Sequence, residues 1–185
     1  RVPDIKEGHF DPYRLPVEIC DTSVGYGRGK RQAEAIAYQH FKEIPVATVR
    51  IPYVTKTDRL YYYCKSIVKQ QPMNITDVSR GFSFVQDHEI GRFLPWLAAQ
   101  DFTGPINLAS EGMVTIQMIL DYIGSKTNKQ AIIDISNGSQ SPFNEKTFSL
   151  NLDKVKQMGY RTSNINDWFW RLMDEYIARA LRENL

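Results

Sequence analysis

A chain of 185 residues, 42% hydrophobic and 24% charged, can bury a real core and suits one domain, or one and a fraction. Its formal net charge of +2, with basic residues scattered along the chain, argues against a nucleic-acid partner held by a basic face and against a membrane-surface role. The longest apolar run, Phe93 to Ala99, is far short of a membrane span and contains a proline, and two cysteines, Cys20 and Cys64, read as reduced thiols of a cytoplasmic protein rather than a disulfide scaffold.

Residues 1 to 22 are rich in proline and acidic residues without a sustained period, and read as an irregular surface segment. The chain starts at Arg1 and not at methionine, and reads as a piece of a longer polypeptide. A helical pattern runs from Ser23 to about Glu43, with Asp21, Thr22 or Ser23 as its N-cap and with Ala33, Ile36, Ala37, His40 and Phe41 on its inner side. Val46 to Ile51 is β-branched and flanked by prolines, which predicts a buried strand. A helix is expected over Leu60 to Lys69. A strand at Phe82 to Val85 leads into a helix from about Gln86 to Gln100. Strands follow at Pro105 to Ala109 and Ala131 to Ile135, with a helix over Val114 to Lys126 between them. The chain closes with a short helix near Leu152 to Met158, a Gly159-Tyr160 stop and a Trp-rich helix over Ile165 to Arg182. Alternating helices and strands define an α/β fold with a largely parallel sheet.

The most informative stretch is Ser23-Val24-Gly25-Tyr26-Gly27-Arg28-Gly29-Lys30-Arg31-Gln32-Ala33-Glu34. It sets a tyrosine and a lysine four residues apart at a helix start, one turn apart on one face. A cation beside a phenol favours phenolate, the form that takes a proton from an alcohol. Spacing alone is a weak signal, because Tyr38–Lys42, Tyr61–Lys65 and Tyr122–Lys126 share it.

Context separates Tyr26 from the other three. Tyr26-Gly27-Arg28-Gly29-Lys30 followed by Ala33-Glu34 resembles the Y-G-x-S-K-x-x-x-E catalytic helix of the extended short-chain dehydrogenase/reductases, the NAD-dependent epimerase/dehydratase group. Val49-Arg50-Ile51-Pro52-Tyr53-Val54 resembles that family's L-R-P-x-x-V segment, and Asp58-Arg59 sits where its G-P-x-D-R stretch would fall. Phe84 to Arg92 resembles F-V-H-V-D-D-V-A-R, and Ile106 to Ser110 with Val114-Thr115-Ile116 resembles Y-N-L-G-S followed by V-S-I. Asp153-Lys154-Val155 with Met158-Gly159-Tyr160 is similar to D-x-S-K-A-x-x-x-L-G-W. Five pieces in register cover nearly the whole chain.

The resemblance implies the back half of a Rossmann-type parallel sheet with a smaller C-terminal α/β subdomain. Residues 1–110 would complete the NAD(P)-binding domain, with a substrate-loop insertion at about 55–80, and residues 111–185 would form the substrate-binding subdomain. It implies Tyr26 and Lys30 as catalytic residues, and Tyr26, Lys30, Pro52, Tyr53 and Val54 as contacts to NAD or NADP. Tyr26 would exchange a proton with a sugar-like or other small hydroxyl or carbonyl substrate, while Lys30 holds the nicotinamide ribose. No metal site is read, and a homodimer is left open as the assembly.

Departures from the pattern temper these expectations. The Gly-rich phosphate loop of the first strand–helix unit is absent, since Gly25, Gly27 and Gly29 follow a loop and not a strand. The catalytic serine or threonine would fall at or before Arg1. An arginine that often contacts the nucleotide-sugar diphosphate would align with Phe82, and Glu89 stands for an aspartate. A non-catalytic ligand-sensing or protein-interaction module on the same scaffold is therefore the alternative. His40 reads as a buried structural residue. Asp87, His88 and Glu89 read as solvated acids and a histidine at a helix start, because consecutive residues diverge around a helix. Trp168, Phe169, Trp170 and Tyr176 read as core. Tyr61, Tyr62 and Tyr63 fit either the core or the rim of the substrate cleft.

Overall fold

The structure is a computed structural model and describes residues 4–18, 25–55, 58–143 and 146–184. Strand β1 (Asp4–Ile5) precedes helix α1 (Tyr26–His40), β2 (Ala47–Arg50), β3 (Tyr53–Val54) and α2 (Asp58–Val68). Next come β4 (Met73–Asn74), β5 (Gly81–Phe82), β6 (Phe84–Val85), α3 (Asp87–Ala98), β7 (Gly104–Asn107), β8 (Val114–Thr115) and α4 (Ile116–Thr127). The chain ends with β9 (Ser139–Gln140), β10 (Ser149–Leu150), α5 (Asp153–Gln157) and α6 (Phe169–Arg182). Pairs β1–β10, β2–β7, β3–β6 and β4–β9 are parallel, and β5–β8 is antiparallel. The β2–β7 ladder runs from Ala47 opposite Gly104 to Arg50 opposite Asn107. Parallel neighbours separated by helices are the α/β architecture the sequence predicts.

Two apolar clusters hold these elements. The larger joins Leu60, Tyr63 and Ile67 of α2 to Ile116, Ile119 and Ile123 of α4 and to Phe169, Met173 and Ile177 of α6. The i, i+3, i+4, i+7 spacing puts each set on one helical face, and each fully buried side chain contributes about 1.5–3 kcal/mol of transfer free energy. The smaller joins Phe93 and Leu97 of α3 to Ile106, Leu108 and Val155. Cys64 is a free thiol inside the larger cluster, and burial pushes it up to about 12. Cys20 and the N-cap candidates Asp21, Thr22 and Ser23 lie outside the described residues. No helix among the described residues is long and apolar enough to cross a membrane.

Three local expectations are corrected. The inner side of α1 is polar: Gln32 and Ala35 are buried, whereas Ala33 and His40 are exposed and Phe41 is 51% exposed. The reason is the irregular N-terminal segment, whose backbone carbonyls need donors. Gln32 Nε2 donates to Pro16 O at 3.0 Å, and Gln39 Nε2 donates to Pro12 O and Leu15 O at 2.8 Å. His40 is thus not a buried structural residue.

Residues 131–135 form no strand but a single bridge, Ile133 to Met73. Asp134 Oδ1 accepts from the Ser136 and Asn137 backbone amides, turning the chain so that Ser139–Gln140 pairs with β4 instead. Gly138 makes that approach feasible, since a Cβ there would lie 2.4 Å from the Met73 carbonyl carbon. The expected Phe82–Val85 strand is also broken at Ser83, where β5 turns to β8 and β6 to β3.

Candidate active site

Tyr26 is the first residue of α1, with Gly25 as N-cap, and its ring is 82% exposed. It opens onto a cleft of about 900 Å³ beyond the carboxyl end of β2. Pro52, Tyr53 and Val54 form the facing wall, so four of the five predicted site residues share one cavity. In parallel α/β sheets, carboxyl strand ends are where ligands sit. Lys30 is not a lining residue of the cleft, but its Nζ lies over the Tyr26 ring, 5.4 Å from the centroid. That is a cation–π contact across one helical turn.

The same local geometry recurs at Tyr122 and Lys126, at 5.1 Å, and the difference between the two pairs is chemical. Asp174 binds both members of the second pair: Tyr122 donates to it at 2.8 Å, and Lys126 lies 3.3 Å away. Burial and that hydrogen bond raise the Tyr122 phenol, and Asp174 raises Lys126, so the proton stays on both groups. Lys30 has no acidic partner among the described residues, and its charge is available to Tyr26.

A half-buried polar network anchors α1 to the sheet. Glu34 accepts from Thr48 Oγ1 at 2.6 Å and from Arg50 Nε at 3.0 Å. The Arg50 guanidinium also donates to Glu7 O at 2.7 Å and Phe10 O at 3.1 Å, tying the N-terminal segment to the end of β2. The Tyr38 hydroxyl lies 2.7 Å from Thr48 Oγ1 and accepts from Thr48 N at 3.0 Å, and burial raises its phenol. With side chains only 19% and 12% exposed, Arg50 and Glu34 form a better-shielded pair than a surface bridge. None of these residues lines the cleft; they hold the helix that presents Tyr26. Glu34 and Arg50 are the acid and arginine of two separately recognised sequence segments, and the fold joins them.

Gly29 occupies the motif's serine position, and a Cβ there would meet nothing within 4 Å. Its entropy cost in a helix then has no steric compensation. Gly29→Ala is expected to raise stability by about 0.5–1 kcal/mol, read as a higher urea midpoint. A lower midpoint would show that the glycine is required.

Glu89 was expected to be solvated at the start of α3; it is 0% exposed. Its carboxylate accepts from Ser163 N at 2.9 Å, from Ser163 Oγ, and from Ser110 Oγ at 3.3 Å. Trp168 Nε1 in turn donates to Ser110 Oγ at 3.1 Å. The partners lie 21 and 74 residues away, so no local pattern could reveal this network. His88 is exposed, and Asp87 is half-buried.

Tyr61 and Tyr63 are buried, and Tyr62 donates to Ser139 O at 2.7 Å, so this tyrosine run belongs to the core and its edge and not to the cleft. Burial raises Tyr61 and Tyr63. Trp168 and Phe169 are buried, and Trp170 and Tyr176 pack against the same cluster. Phe82 is 0% exposed and packs edge-on against Tyr53 at 5.5 Å. The cleft residues to which the sequence assigned no site role include Arg28, Arg31, Arg59, Ile51 and Phe148. Phe148 had no signal, whereas Arg28 and Arg31 flank Lys30 and could have been read from helical spacing.

The parallel arrangement, the polar anchor of α1 and the cleft at the end of β2 define the carboxyl-end portion of a Rossmann-type α/β fold. Solved structures bear this out. The chain superposes on MoeE5 in complex with UDP-glucuronic acid and NAD with a TM-score of 0.69 at 14% identity, covering 98% of this chain and 61% of that one. It superposes on a UDP-N-acetylglucosamine 4-epimerase from Methanobrevibacter ruminantium M1 with a TM-score of 0.63 at 13% identity, covering 93% and 59%. A UDP-glucuronic acid 4-epimerase variant from Bacillus cereus gives 0.64 at 16%, covering 91% and 59%. The chain thus has the fold of the C-terminal part of these proteins and spans about three fifths of their length. No family model matches the chain, and no curated protein matches it in sequence.

Proposed function

We propose that this chain is the C-terminal part of an NAD(P)-dependent epimerase, dehydratase or reductase of the extended short-chain dehydrogenase type, in which Tyr26 moves the proton. The observation that carries the reading is the convergence of Tyr26 with Pro52, Tyr53 and Val54 on one cleft, with an acid-free Lys30 over the Tyr26 ring. Likeness to structures holding NAD and UDP-sugars supports the cofactor and a sugar-like substrate. In this reading residues 1–110 complete the cofactor domain, residues 111–185 form the substrate subdomain, and the protein is cytoplasmic.

The cleft fits the reacting end of such a cofactor: it is open, lies at a strand's carboxyl end and exposes the Tyr26 hydroxyl. Bound nicotinamide would supply a two-electron acceptor for hydride. The chain's own residues do the rest. Tyr26 Oη, as phenolate, takes the proton of the substrate hydroxyl and returns it when the carbonyl is reduced. The Lys30 ammonium stabilises the phenolate and donates to the cofactor's ribose. Pro52 and Val54 offer an apolar wall that excludes water, and Glu34 with Arg50 fixes the angle of α1.

Titration of the full protein carrying this chain with NADH, followed by nicotinamide fluorescence, tests the cofactor role. Lys30→Met should raise Kd about tenfold, the loss of one charge-assisted hydrogen bond of about 1.5 kcal/mol. Equal affinity in wild type and variant would remove Lys30 from the cofactor site. Absence of NADH binding by the wild type would favour the ligand-sensing or interaction-module reading.

A further inference from the structure

The described residues that line the Tyr26 cleft include three arginines and no acidic residue, in a chain whose basic and acidic residues number 23 and 21. Arg28 is paired with Glu18 across the segment that lies along α1. Arg31 and Arg59 differ: both are exposed, and neither has an acidic partner among the described residues. They approach from different elements, Arg31 from α1 and Arg59 from the start of α2.

Arg59 is also held in place. Its guanidinium carbon lies 5.2 Å from the centroid of the Tyr53 ring, on the cleft wall. Tyr53 is packed in turn against Phe82 at 5.5 Å, Phe143 at 4.7 Å and Phe148 at 5.6 Å. A cation stacked on an anchored ring loses little side-chain freedom when it binds an anion, and a guanidinium fork suits carboxylate or phosphate. Phe148 shares the cleft and offers an apolar face beside that charge.

We infer that Arg31 and Arg59 form an anion handle in the Tyr26 cleft, so that its ligand carries a carboxylate or phosphate beside an apolar or ring portion. Phe82, at the position where the family often has an arginine, is fully buried in the aromatic cluster and does not line the cleft. This deepens the proposed function and rests on it only for the reaction at Tyr26.

Calorimetric titration of the full protein with phenyl phosphate, benzoate and neutral benzyl alcohol tests the inference. Wild type should bind the better anion at least about tenfold more tightly than benzyl alcohol, with a preference that shrinks as salt rises. The tighter of the two anions names the group, phosphate or carboxylate. Arg31→Gln with Arg59→Gln should erase the preference and leave benzyl alcohol affinity unchanged, while each single variant lowers it severalfold. Equal affinities in wild type, or a preference surviving in the double variant, would overturn the handle. Tyr26→Phe should leave anion binding intact. A fully active Tyr26→Phe variant would therefore defeat the proton-transfer reading without touching this result.

Discussion

Replacing Tyr26 by phenylalanine is expected to lower turnover of the full protein about a thousandfold, with NADH affinity within about twofold of wild type. A positioned acid–base group contributes about 10²–10⁴ in rate, and a thousandfold loss corresponds to about 4 kcal/mol of transition-state stabilisation. The substitution removes one oxygen from a ring that is 82% exposed and that makes no hydrogen bond among the described residues. Folding should therefore be unchanged, and the rate effect can be read as chemistry. The Glu34–Arg50 anchor, which sets the helix angle, is untouched by the change. A variant with nearly normal turnover would leave the cleft as a binding site only.

Glu89→Ala is expected to cost about 3–4 kcal/mol of stability, the largest single effect outside the apolar core. Truncation removes the acceptor of the half-buried Ser163 amide and hydroxyl and of the buried Ser110 hydroxyl, and it leaves a void the size of the carboxylate. Glu89→Gln keeps the volume and one acceptor, and should cost about 1–2 kcal/mol. Urea unfolding should show the midpoint falling in that order with the slope preserved. An alanine variant within about 0.5 kcal/mol of wild type would show that the network is idle.

The elements that were legible in the sequence are those whose pattern is set by burial on one face. Val46 to Ile51 reads as a strand because its β-branched residues sit between prolines, although β2 is half-buried rather than buried and Ile51 is exposed. Helices α2, α4 and α6 read as helices because their buried residues recur every three to four positions. The faces of α1 were not legible. Apolar spacing pointed to Ala33, Ile36, Ala37 and Phe41, yet the partner segment presents carbonyls, and glutamines face it instead. Hydrophobic periodicity cannot foresee a neighbour that is itself polar. Residues 131–135 failed for a related reason: an aspartate-capped turn and the room left by Gly138 outweighed β-branched propensity. At the site, Tyr26 and the Pro52 loop were legible through resemblance, and their convergence on one cleft follows from the fold. Arg59 was visible in sequence, but its stacking on Tyr53 depends on an aromatic cluster drawn from positions 53 to 148.

The most direct test of proton transfer at Tyr26 is rapid mixing of the NAD-loaded full protein with UDP-glucuronic acid, the ligand held by one structural neighbour. Nicotinamide fluorescence reports reduction of the cofactor. Wild type should show a transient rise, and Tyr26→Phe should show none on the same timescale. A transient of equal rate in the variant would contradict the assignment of Tyr26 as the proton-transfer residue.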